Sequence, residues 1–242
     1  MQVIPAIDLR GGRVVRLRQG DFDRQRSYGD DPVRVARHWV ADGADRLHLV
    51  DLDGASAGQP AHLAWLAPII AAAGVPCQVG GGLRELAFAR ATLAAGADRV
   101  VLGTALLGGE QAAGPLVRAL GAAAVVAAID VRDGQAVGEA WRSGGPAVPY
   151  AAVLEALFTA GIRRFAITAI DRDGMLGGPD LALLADARAR LPQAHLIAAG
   201  GIATLADLSA LANLGLEAVI VGRALYEGRF GLAEAIRTAA AT

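Results

Sequence analysis

Short apolar runs alternate with amphipathic stretches along the whole chain. The runs are "QVIPAIDL" (2–9), "RLHLVDL" (46–52), "PCQVG" (76–80), "DRVVLG" (98–103), "AVVAAID" (124–130), "RFAITAI" (164–170), "HLIAAG" (195–200) and "EAVIVG" (217–222). Most are continuous in Val, Ile, Leu and Ala, the pattern of parallel strands covered on both faces. Helices are expected between them. One begins with Asp31 as N-cap and Pro32 in its first turn, and stops at Gly43. Another begins at Thr204 and ends at Gly215. Others span about 62–73, 84–95, 111–120, 149–161, 180–191 and 231–240. Eight strand–helix units predict an α/β chain folded as one (β/α)8 TIM barrel over residues 1–242. A doubly wound open sheet fits less well, because nothing would stop it at eight.

The apolar pattern also repeats. "IPAIDLRGGRVV" returns as "VAAIDVRDGQAV", with Asp8 and Asp130 separated by 122 residues. "LHLVDLDG" returns as "FAITAIDRDG" at an offset of 118. "QVGGGLRELAFARATLAAGADRVVLGTAL" returns as "IAAGGIATLADLSALANLGLEAVIVGRAL", with Gly81 and Gly201 offset by 120 and Gly103 and Gly222 by 119. The barrel is therefore expected to be two copies of a four-unit half-barrel, related by an approximate two-fold axis.

That symmetry gives the polar residues at the strand ends a meaning. Asp8 and Asp130 each end the first strand of a half, on the face where such barrels carry their chemistry. Two-fold symmetry sets them across the mouth, one as acid and one as base on opposite sides of a substrate. The bland alternative is that each caps a loop or pairs with Arg10, Arg13 or Arg132. The glycines are the second signal. Gly81 and Gly82, and Gly200 and Gly201, follow one strand of each half; Gly103-Thr104 and Gly222-Arg223 follow the next. Free backbone N–H groups at such strand-to-helix turns favour an anion. Two phosphate sites on opposite rims are expected, hence an elongated substrate with a phosphate at each end.

Composition narrows the partners. Lys and Arg total 23 against 24 Asp and Glu, a balance without the basic excess of a nucleic-acid binder. No run of about 20 unbroken apolar residues occurs, so no membrane span is expected. The N-terminus has no secretory pattern. The lone cysteine, Cys77, lies in an apolar run and reads as an inert buried thiol in a reducing cytoplasm. The alanine runs Ala71–Ala73 and Ala122–Ala124 read as helix and strand filler. His38, His48, His62 and His195 are scattered without ligand spacing, so no metal is expected. His48 reads as a hydrogen-bonded barrel residue and His195 as structural. No GxGxxG follows the first strand, so no dinucleotide cofactor is expected. The stretch 131–149 reads as a long loop, a lid or binding segment. In it, Trp141 beside Arg142 and Gly144-Gly145 is expected to stack on a planar ring, the alternative being packing against the adjacent helix. After the sixth strand come Thr168, Asp171 and Asp173, where loop capping and chemistry are equally open readings.

These residues resemble the phosphoribosyl isomerase family of histidine biosynthesis. "PAIDLRGGRVVRLRQGD", "YGDDP", "HLVDLDGA", "VGGGLR", "DRDG" and "VGRALYEG" carry the resemblance, which covers the whole chain. It implies a cofactor-free Amadori rearrangement of a bis-phosphorylated aminoaldose to its aminoketose, in a monomer. Carried over, Asp8 is the general base at the sugar C2 and Asp130 the general acid at the ring oxygen. Asp173 is the competing acid, Thr168 its usual companion, Trp141 the residue that stacks on the imidazole, and Arg16 a substrate contact. Ala169, Met175 and Ala140 depart from the family pattern. Three relatives differ in detail. The cyclase of the same pathway typically has cysteine before its first aspartate, where this chain has "PAID". A bifunctional isomerase typically has serine before its paired glycines, where this chain has Gly80. The tryptophan-pathway isomerase relies on a cysteine near its N-terminus.

Overall fold

The computed structural model describes residues 1–138 and 148–241. The chain runs β1 (Gln2–Arg10), β2 (Arg13–Arg18), β3 (Asp21–Gly29), α1 (Pro32–Ala41), β4 (Leu47–Asp51), α2 (Leu52–Ala57), α3 (Leu63–Ala73), β5 (Cys77–Gly80), α4 (Leu86–Ala94), β6 (Arg99–Leu102) and α5 (Glu110–Leu120). It continues through β7 (Val125–Arg132), β8 (Gln135–Val137), β9 (Val148–Pro149), α6 (Tyr150–Thr159), β10 (Arg164–Ala169), α7 (Leu181–Arg190), β11 (His195–Ala199), α8 (Leu205–Asn213), β12 (Ala218–Val221), α9 (Arg223–Tyr226) and α10 (Leu232–Ala240). Short 3-10 turns lie at Thr104–Leu106 and Ala122–Ala124, so the second alanine run is a turn rather than filler.

Eight of these strands pair in parallel as β1-β4-β5-β6-β7-β10-β11-β12, and β12 closes back on β1. They are the eight apolar runs, so the chain folds as a (β/α)8 barrel with surrounding helices. β1 and β7 are four steps apart in either direction, hence diametrically opposite.

The continuous apolar runs split by parity once the barrel closes. On β1, Ile7 and Leu9 pack outward with Leu47, Leu49 and Val79 in the large core under the helices. Ile4 and Ala6 pack inward with Val101, Val126, Ala166, Ile197, Ala218 and Ile220 in a small central core. Above that floor the inward positions carry Asp8, His48, Asp130 and Thr168, which line the mouth. The expected helix signals are present. Asp31 accepts a hydrogen bond from the Arg34 N–H at the start of α1. Thr204 and Asp207 form a reciprocal capping box at the start of α8.

Two features depart from the sequence reading. β1 does not end at Asp8: it continues into an antiparallel hairpin with β2, and β2 turns again into β3. The stretch after β7 is likewise no plain loop, because β7 and β8 form a hairpin and β9 pairs with β8. Three of these two-residue turns, Gly11-Gly12, Gln19-Gly20 and Asp133-Gly134, have both residues at positive φ, as tight hairpin turns require. The first and third obey the repeat. Asp8 faces Val15 across its hairpin and Asp130 faces Val137, each pair offset by the same 122 residues.

Candidate active site

A cavity of about 260 Å³ opens at the carboxyl ends of the strands. Asp8, Asp130 and Asp173 all line it, as do Arg16 and Thr168. Thr168 sits beside Asp130 in register on the adjoining strand β10. The residues named for phosphate, Gly81, Gly82, Gly103, Thr104, Gly200, Gly201, Gly222 and Arg223, line the same cavity. Trp141 and its neighbours Ala140, Arg142 and Gly144-Gly145 lie outside the described residues.

Asp8 is 7% exposed and does not pair with Arg10 or Arg13. Its partner is Arg16 on β2, whose Nη1 donates to Asp8 Oδ2 at 2.7 Å. The other terminal nitrogen of the same guanidinium lies 3.6 Å from Asp173 Oδ1. One cation thus stands between the buried Asp8 carboxylate and the half-buried one of Asp173, while Arg10, Arg13 and Arg132 engage Gln25, Asp30 and Asp171. Burial pushes the Asp8 carboxyl up to about 6, opposed by Arg16 and assisted by the charge of Asp173. Burial also raises Asp173, against the pull of Arg16 and the Gly174 amide. Asp171 stays on the exposed side of its loop, in an ion pair with Arg132 at 3.4 Å. Charge pairing therefore describes Asp171, and the mouth claims Asp173.

His48 fulfils the expectation of a hydrogen-bonded barrel residue and also faces the mouth. Its Nδ1 lies 3.0 Å from Nε2 of Gln78, a fully buried residue that sequence reasoning passed over. Burial, with Arg16 nearby, lowers the His48 pKa to about 3, so the ring is neutral near pH 7. Cys77 is buried and its thiol is pushed up to about 11 by burial, in keeping with an inert role. His195 lies 3.6 Å from Glu217 at the opposite end of the barrel strands. Asp51, Asp53 and His62, within twelve residues of sequence, offer ligand atoms within 4.8 Å of one another. Asp51, however, already accepts from the backbone N–H groups of Gly54, Ala61 and His62. Asp53 accepts from the Gly11 N–H and contacts His62, so the cluster works as a brace for the β1–β2 turn.

The glycines repeat in conformation as well as in sequence. Gly103 has φ −110° and ψ −90°; Gly222 has φ −110° and ψ −99°. Gly81 and Gly201 sit at φ +109° and +84°, in the left-handed region. What approaches them most closely is neighbouring backbone. A Cβ on Gly81 would stand 2.1 Å from the Asp51 carbonyl oxygen, and one on Gly201 2.2 Å from that of Gly178. Loop packing alone therefore demands glycine there, beyond any ligand. At Gly222 the visitor is the Arg16 guanidinium, whose Cζ lies 2.4 Å from where a Cβ would be.

The arrangement is that of a two-fold (β/α)8 barrel with acid–base groups and glycine turns gathered at one mouth. The chain belongs to the histidine biosynthesis protein family, whose model matches residues 2–231. It is 47% identical over 236 residues to a protein of Roseiflexus castenholzii, covering 98% of each chain. It is 48% identical over 245 residues to one of Moorella thermoacetica, covering 99% of each, and 43% identical over 242 residues to one of Chloroflexus aurantiacus. All three are named as isomerases of 1-(5-phosphoribosyl)-5-(5-phosphoribosylamino)methylideneamino imidazole-4-carboxamide. Among the described residues no helix is long and apolar enough to cross a membrane.

The glycine geometry makes a prediction for both halves. Gly81→Ala and Gly201→Ala should each destabilise the protein by more than about 1 kcal/mol, since each adds left-handed strain to a clash with backbone. Denaturant unfolding should show similar losses for the two; wild-type stability in either would contradict the packing account.

Proposed function

We propose that this protein rearranges phosphoribosylformimino-aminoimidazole carboxamide ribotide, an aminoaldose with two phosphates, to its aminoketose by carboxylate acid–base catalysis. The observation that carries the reading is the set of carboxylates at one mouth, on strands that the repeat makes equivalent. Ring opening needs a proton donated to the ring oxygen, and the rearrangement needs a proton removed from the sugar C2. No cofactor enters either step. The names of the relatives, each with two phosphoribosyl groups, agree with two phosphate cups on opposite rims. We read one cup as Gly81, Gly82, Gly103 and Thr104, and the other as Gly200, Gly201, Gly222 and Arg223. The reading is of a cytoplasmic monomer with one small-molecule substrate.

The repeat supports a division of roles. At the offset that relates Asp8 to Asp130, the counterpart of Arg16 is Gly138. The first half therefore supplies a cation that the second half lacks at that position. A carboxylate held near pH 6 beside a guanidinium suits a base: ionised at neutral pH, yet basic enough to take a carbon-bound proton. Asp8 is thus the general base and Asp130, on the opposite strand, the general acid. Arg16 and Thr168 contact the substrate between them, and Trp141 stacks on its imidazole. A second assignment has its own support. Asp173 is half-buried in the mouth and desolvation raises its carboxyl, the direction that suits a proton donor.

Direct assay with the aminoaldose tests the reading, with phosphoribosyl anthranilate as the parallel substrate. Turnover of the first alone is expected; turnover of both would make the enzyme bifunctional. Asp8→Asn should lose about 10²–10⁴-fold in kcat while substrate still binds. In the wild type, kcat/KM should fall as pH drops through about 6, because protonated Asp8 accepts no proton. A flat profile down to pH 4 would remove Asp8 as the base. Asp130→Asn should cost more kcat than Asp173→Asn; the reverse order assigns the acid to Asp173.

A further inference from the structure

The β2–β3 hairpin places Arg16 directly opposite Arg26. Like charges directly across a two-stranded ribbon repel, and such a ribbon is marginal alone. The repulsion is relieved by acids on both sides. Arg16 goes to Asp8 and Asp173 in the mouth. Arg26 goes to Glu227, just past α9, donating from Nη1 to Oε1 at 3.0 Å. That same oxygen accepts the Tyr28 hydroxyl at 3.1 Å and Arg223 Nε at 2.8 Å. Arg223 in turn donates from Nη1 to the carbonyl oxygen of Gly174, the residue after Asp173. The tip of the hairpin already touches that loop, with the Gln19 N–H donating to the Asp173 carbonyl oxygen at 3.1 Å and its side-chain amide to that of Asp171 at 3.0 Å. The Glu227 oxygen adds a second tie, from the far side of the hairpin that carries Arg16 to the loop that carries Asp173. Glu227 itself is not among the residues that line the cavity.

We propose that Glu227 is a positioning residue that locks the β2–β3 hairpin to the loop after β10, so that one guanidinium, Arg16, stays between Asp8 and Asp173. The two loops then move together or not at all, and Arg16 reaches both carboxylates only when both are home. The proposal rests on Asp8 and Asp173 being reacting or proton-holding groups in the reading above.

The test combines hydrogen exchange, which needs no substrate, with kinetics. In Glu227→Ala, amide exchange should quicken about tenfold or more in both segments 21–29 and 171–176, the loss of bonds to a charged acceptor. β11 and β12 should exchange as in the wild type. kcat should fall about 10- to 100-fold through misplacement of Arg16, with KM changed less. Glu227→Gln keeps an acceptor oxygen and should recover part of both. The double variant Arg26→Ala, Tyr28→Phe cuts the same hub from the hairpin side, should reproduce the hairpin effect, and decides the matter if Glu227→Ala fails to fold. Wild-type exchange in either segment, or unchanged kcat, would overturn the proposal. So would faster exchange spread evenly over every strand, the mark of a merely structural residue. If the wild type does not turn over the aminoaldose, the reaction reading fails, while the exchange data still decide whether Glu227 couples the loops.

Discussion

One guanidinium shared by two carboxylates organises the mouth of this barrel. Arg16 carries a single positive charge, and Asp8 and Asp173 both lean on it. Neither acid is fully compensated, so burial wins and both are raised. A separate partner for each would hold both acids low and leave Asp8 a poor base. With no partner at all, burial would push both carboxyls higher still. The half-compensated state lies between these, where proton transfer near pH 7 is easiest. Arg16 reaches both groups because β1 continues past Asp8 into a hairpin that folds its side chain back over the mouth.

The two-fold repeat explains where the groups stand, and its breaks explain why they differ. Both halves extend their first strand into a hairpin with the same register and the same kind of turn. Both place a glycine with matching dihedrals before the short helix that follows the fourth strand. The first half then adds Arg16 and the links to Glu227, whereas the second has Gly138 at the position of Arg16. A symmetric scaffold of this kind suits a substrate with like groups at its ends and unlike chemistry at its middle.

Much of this was legible in the residue pattern, and the reasons are physical. Strands covered on both faces must be apolar throughout, so all eight barrel strands stood out to within two residues. Asp31 and Thr204 marked helix starts because capping chemistry is local. The hairpin strands were hidden because much of "RVVRLRQGDFDRQRSYG" is polar and solvent-facing, although Gly11-Gly12 and Asp133-Gly134 are hairpin-turn pairs. Which arginine meets Asp8 depended on that unseen register: Arg10 and Arg13 are nearer in sequence, but Arg16 returns over the mouth. Gln78 carries no signal in its own apolar run because its partner His48 is 30 residues away. The glycines stand out because they repeat at the strand ends, yet at Gly81 and Gly201 the close neighbour is the adjoining loop.

The most direct test is a carboxyl carbon NMR titration of the wild type, with the Asp8 resonance assigned by its absence in Asp8→Asn. The account predicts a midpoint for Asp8 at about 6. A midpoint at or below the ordinary aspartate value of about 4 would mean that Arg16 fully compensates Asp8, and would contradict the shared-cation account.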